Sequence, residues 1–130
     1  MARRDLTGAV DFSHLEYFAA GDVALVEEVL AMFREQAALW VRLLDPSGET
    51  WRDGAHTLKG AALGVGAFRL AEACDAAEHG ADAAARPAQL DRIRDALDAA
   101  LADIAAYLHE RTLQALKAPD GFADRRAGPR

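Results

Sequence analysis

The sequence predicts an all-α fold, an antiparallel four-helix bundle with a short extra N-terminal helix, and three observations carry that prediction. Proline is confined to Pro46, Pro87, Pro119 and Pro129, leaving long stretches free to be helical. Alternating runs of β-branched residues, the mark of strands, are missing. Apolar residues recur instead at intervals of three, four or seven, the spacing of one helix face. With 130 residues, 52% of them hydrophobic, the chain can bury a single core without disulfides or metals. The expected organisation is an N-terminal arm over 1–10, a bundle over 11–117 and a flexible C-terminal tail over 118–130.

Each element has its own signal. Ser13 followed three residues later by Glu16 is a capping-box pattern, and Gly21 can close the short helix predicted over 13–20. Asp22 is the expected cap of a long helix over 22–44, whose apolar face runs through Leu25, Val29, Phe33, Trp40 and Leu44, broken at Gln36. "DPSG" reads as a turn. A third helix then covers 48–65 and ends around Gly64 and Gly66, Gly66 suiting a left-handed cap. A fourth runs over 67–79 and stops at Gly80. Pro87 suits the first helical position of a fifth, whose face is marked by Leu90, Ile93, Leu97, Ile104 and Leu108 and which reaches Lys117. The tail "APDGFADRRAGPR" has no periodicity. Short connections between such helices imply antiparallel neighbours, with the first helix as a lid.

Composition excludes several function classes. A net charge of −6 spread along the chain lacks the basic face that nucleic acid demands. One cysteine, Cys74, can form neither an internal disulfide nor a thiol metal cluster. No signal-peptide pattern and no run of about 20 apolar residues is present, so a cytoplasmic protein that does not enter the membrane is expected. His14, His79 and His109 show no i, i+4 pairing of metal-ligand type, and His79 beside Gly80 reads as a favourable helix C-terminal residue. The acids Asp91, Asp95, Asp98 and Asp103 read as the wet face of the last helix.

The informative stretch is "AHTLKGAALGVGAFRL". On a helical wheel, Trp51, Leu58, Ala62 and Val65 lie opposite His56, while Arg52, Asp53, Lys59, Gly60 and Leu63 share its side. His56 therefore points outward. A glycine in a helix interior costs about 0.8–1 kcal/mol relative to alanine, so Gly60, one turn after His56 on the same side, calls for a reason. Its bare backbone opens the approach to the imidazole, Lys59 brings a positive charge to the same space, and Leu63 offers an apolar contact. A neutral imidazole is a nucleophile near neutral pH. The side thus offers a nucleophile, a cation for an incoming anion and room for a docking protein. Arg52 is assigned to docking or charge support, and Gly64 is placed with the binding residues with its role open.

"HTLKG" followed by "GAFRLAEACDAAE" resembles the histidine-containing phosphotransfer family through His56, Leu58, Lys59, Gly60, Gly66, Leu70, Cys74 and Glu78. "GDVALVEEVLAMFREQ" is similar to that family's first long core helix, and the resemblance spans about 11–115. It implies that His56 carries a phosphoryl group between receiver-domain aspartates, that Lys59 offsets its charge, and that Gly60 gives the receiver clearance. The implied partners are response-regulator receiver domains and a hybrid histidine kinase. No cofactor is implied in this chain, magnesium being expected in the receiver. No ATP-binding motif is present, so no autonomous kinase activity is expected. Ala61 and Ala62 depart from the family's frequent serines, and Ala77 replaces a usual leucine. The alternatives are a helical adaptor that docks partners without phosphotransfer, and the phosphoacceptor module of a chemotaxis-type histidine kinase. A monomer is expected.

Overall fold

Asp11 starts the first helix, α1 (Phe12–Phe18), its side chain accepting from the Ser13 backbone N–H. The capping box expected from Ser13 and Glu16 is corrected accordingly. Ser13 lies inside the helix, and Glu16 accepts a hydrogen bond from the Tyr107 hydroxyl at 2.6 Å instead of reaching back. An aspartate supplies the same acceptor two residues earlier. In this computed structural model residues 8–117 are described; the 118–130 tail and residues 1–7 of the expected arm lie outside the described residues.

Asp22 caps α2 (Val23–Trp40) as expected, accepting from the Leu25 N–H at 3.1 Å. The buried face of α2 differs from the expected one: Val26, Leu30, Phe33 and Ala37 are buried, whereas Leu25 is exposed and Val29 half-buried. Apolar residues cover more than one stripe of this helix, and the core took the stripe in which small Ala37 stands beside Gln36. The helix ends at Trp40, and a 3₁₀ turn over Val41–Leu43 delivers Leu44 to the core, wholly buried. Asp45 then accepts from the Ser47 N–H at 3.0 Å, fixing the "DPSG" turn.

The third helix, α3 (Trp51–Val65), ends at Gly66, whose φ of +88° is left-handed as expected. The position excludes a side chain twice over, since a Cβ would also lie 2.5 Å from the Asp11 carbonyl oxygen. Asp11 donates its N–H to the Gly66 carbonyl at 2.9 Å, so the entry to α1 rests on the exit of α3. Next comes α4 (Phe68–His79), and then a 3₁₀ turn over Ala83–Ala85 leads into α5 (Arg86–Lys117). Pro87 is the second residue of α5, within the first turn, where its missing N–H costs no intrahelical bond.

Leu90, Ile93, Leu97 and Ile104 of α5 meet Leu30, Leu58, Leu70 and Cys74 from the other long helices in one core. α4 packs chiefly against α3 and α5, and α2 packs against both α3 and α5 on the other side. The short α1 is fastened to α5 by a stack of Phe12 on Tyr107, with centroids 4.2 Å apart. Asp103 is not part of a wet face: half-buried, it accepts from the backbone N–H of Ala9 at 2.9 Å and of Val10 at 3.3 Å. Among the described residues no helix is long and apolar enough to cross a membrane.

Candidate functional site

The two faces of α3 separate as the helical wheel requires. Trp51, Leu58, Ala62 and Val65 are buried, and the His56 side chain, opposite them, is 68% exposed. The neighbouring helix α4 supplies what a wheel cannot show. Glu78 Oε2 lies 2.7 Å from His56 Nδ1. A carboxylate only accepts, so in the neutral ring the hydrogen sits on Nδ1 and the lone pair is left on Nε2.

Lys59 bridges two carboxylates, its Nζ standing 3.2 Å from both Asp75 Oδ1 and Glu78 Oε1. The hydrogen bond to Asp75, then that to Glu78, pushes the Lys59 ammonium above its ordinary pKa. Burial works to raise the Glu78 carboxyl, but hydrogen bonds from His56 and Lys59 outweigh it and hold the group below its usual value. Asp75 is likewise lowered, first through its hydrogen bond from Lys59. His79 joins the cluster at its outer end, its Nδ1 3.2 Å from Asp75 Oδ1. The expectation that His79 has no i, i+4 ligand-type partner is corrected: Asp75 lies four residues before it on the same face.

Gly60 and Gly64 follow His56 at successive intervals of four, and a Cβ at either would meet nothing within 4 Å. They leave a bare strip beside the imidazole. On one side of the strip, exposed Leu63 lines a groove with Lys59, Phe68 and Glu72. On the other, Ala61, Gly64 and Val65 line an apolar groove with Met32, Phe33 and Trp40 of α2. Ala62 is wholly buried and Ala61 half-buried, and Ala77 is wholly buried as well.

Arg52 sits differently from its companions. It donates to the backbone carbonyl of Glu78, and its guanidinium lies 4.6 Å from the centre of the Trp51 ring, which also carries Arg86 at 4.5 Å. It ties the start of α3 to the end of α4 and so holds the backbone from which Glu78 projects. Sequence reasoning noted Glu78 only as agreeing with a family pattern and missed Asp75. The available signal was a matched spacing: His56 and Lys59 stand three apart on α3, and Asp75 and Glu78 stand three apart, with opposite charge, on α4.

The Hpt domain family model matches residues 24–106, more than half of the chain. The chain belongs to the Hpt domain family. Among solved structures, the Hpt chain is similar to the crystal structure of the histidine phosphotransferase ShpA from Caulobacter crescentus, with 58% identity and a TM-score of 0.73. That likeness covers 84% of this chain and 99% of the other. No curated protein sequence matches it. As an Hpt domain the chain has a role in phosphorelay signalling, and the family implies interaction with receiver domains and histidine kinases.

Proposed function

We propose that this Hpt domain accepts a phosphoryl group on His56 Nε2 from a receiver-domain aspartate and passes it to a second receiver. The observation that carries the reading is the 2.7 Å contact between His56 Nδ1 and Glu78 Oε2 on a ring that is 68% exposed. That contact favours Nε2 as the nucleophile and supports a ring presented to a partner.

The chemistry is an in-line displacement. The Nε2 lone pair forms the N–P bond while the P–O bond to the receiver's aspartate breaks, and the carboxylate leaves with the electron pair. The imidazole gains positive charge as the bond forms, and the Glu78 carboxylate opposes that charge. Lys59, anchored between Asp75 and Glu78, supplies a cation to the transferred phosphoryl group. The receiver contributes magnesium, so the transfer asks no metal of this chain. Gly60 and Gly64 let the receiver's backbone approach the ring, Leu63 gives it an apolar contact, and Arg52 positions Glu78. The domain acts as a monomer, with a hybrid histidine kinase and a response regulator supplying its receivers.

The test is to mix the protein with a panel of phosphorylated receiver domains and follow the label on wild type and His56→Gln. Acid-labile, base-stable label on the wild type, and none on the variant, is expected. If no receiver gives label that depends on His56, the reading fails.

A further inference from the structure

We infer that Asp75, Glu78 and His79 form a binding site for a transition-metal dication, zinc being the ion they suit, and that its occupancy slows phosphoryl uptake at His56. Only the second half rests on the function proposed above.

The three residues stand at i, i+3 and i+4 of α4 and therefore share one face. Each offers one ligand atom, and those atoms all lie within 4.8 Å of one another. Tetrahedral zinc with bonds of about 2.1 Å sets its donors about 3.4 Å apart, so small rotamer changes close the set. Asp75 and His79, 58% and 67% exposed, have open space to turn in and are accessible to an ion arriving from solvent. An imidazole with two carboxylates, leaving a coordination position for water, is a zinc-type donor set, and magnesium, which prefers all-oxygen octahedra, is not favoured by it. Lys59 already offsets part of the negative charge here, yet one ammonium stands against two carboxylates.

The cluster is shared with the phosphotransfer site. Glu78 holds Nδ1 of His56, and Asp75 and Glu78 together hold Lys59. An ion bound to both carboxylates displaces the Lys59 ammonium and draws Glu78 from the imidazole. The ring then loses the partner that fixes its nucleophilic nitrogen. Lys59 and the ion compete for the same oxygens, so removing the lysine strengthens metal binding.

Zinc titrated calorimetrically into the full chain is expected to bind at one ion per chain in wild type and His56→Gln. Binding weakens at least about tenfold in His79→Ala and in Asp75→Asn, and tightens in Lys59→Ala. Absence of zinc binding, or equal binding by wild type and His79→Ala, overturns the site. Loss of binding in His56→Gln overturns the assignment, because it puts the ion on the other imidazole. For the second half, phosphoryl uptake from a magnesium-loaded, phosphorylated receiver is timed with and without zinc. Zinc is expected to slow wild type and to spare His79→Ala. Equal slowing of both overturns the inhibitory role and locates the effect in the receiver. Failure of uptake without zinc counts against the proposed function and leaves the titration result standing.

Discussion

At Glu78 one carboxylate serves two donors, the His56 ring and the Lys59 ammonium, and its substitution separates their effects. Glu78→Gln keeps the shape but loses the charge, and an amide can turn its NH2 toward Nδ1. Partners that orient an imidazole typically matter by about 10–100-fold, and phosphoryl uptake by His56 is expected to slow within that range, measured against wild type with the same receiver. The variant also changes the pH dependence of stability. A carboxyl whose pKa is lowered on folding contributes stability above its unfolded value, and that contribution disappears as pH falls through the folded one. Glu78 and Asp75 are both lowered, so wild type loses stability on acidification below the ordinary carboxylate range. Glu78→Gln is expected to lose less, as thermal melts across the acid range will show. At Gly60 the two requirements oppose each other. Alanine there meets nothing within 4 Å and is expected to stabilise the fold by about 1 kcal/mol, while the added methyl on the docking strip slows transfer. A Gly60→Ala chain that is both more stable and equally fast removes the clearance role.

At the scale of elements, α1 shows what holds a seven-residue helix that cannot stand alone. Its ring stack on Tyr107 and the hydrogen bond from Tyr107 to Glu16 tie it to α5. Burial, then the Glu16 hydrogen bond, pushes the Tyr107 hydroxyl pKa up to about 12. Tyr107→Phe keeps the stack and deletes the bond, and is expected to cost about 1 kcal/mol in denaturant unfolding. The helices themselves were legible where an end is announced locally, Asp22 as a cap, Gly66 as a left-handed stop and Pro87 in a first turn, whereas the end expected at 44 and the start expected at 48 fall instead at Trp40 and Trp51. The outward face of α3 was legible for the same reason, since one helix's periodicity decides it. What was not legible depended on a second element. The buried stripe of α2 was misplaced because Leu25, Val29, Met32 and Leu39 made several stripes equally apolar. The cap of α1 was misplaced because Glu16 has a partner 91 residues away. Asp75 and Glu78 reach His56 and Lys59 only once α4 lies against α3, and no wheel of either helix contains that contact.

The molecule as a whole is stabilised by one core, and its interior sets the largest expected losses. Leu58 is wholly buried directly behind His56, and Leu58→Ala is expected to cost about 2–5 kcal/mol in chemical unfolding. Cys74 is buried in the same core, and burial first, then the nearby Glu78 charge, pushes its thiol pKa up to about 12. Its reaction with a thiol reagent is expected to follow global unfolding, with a sharp rise in rate at the denaturation midpoint. The contact of Asp11 with Gly66 bears on how this protein can be cut. The family model matches from residue 24 to residue 106, and those limits are natural choices for a minimal fragment. They fall inside the fold. A 24–106 fragment discards the strut under the exit of α3, the backbone groups that Asp103 accepts from, and the ring that pins α1. The stretch matched by the family model thus lacks contacts that the fold uses, and a fragment of residues 8–117 is expected to melt well above one of residues 24–106.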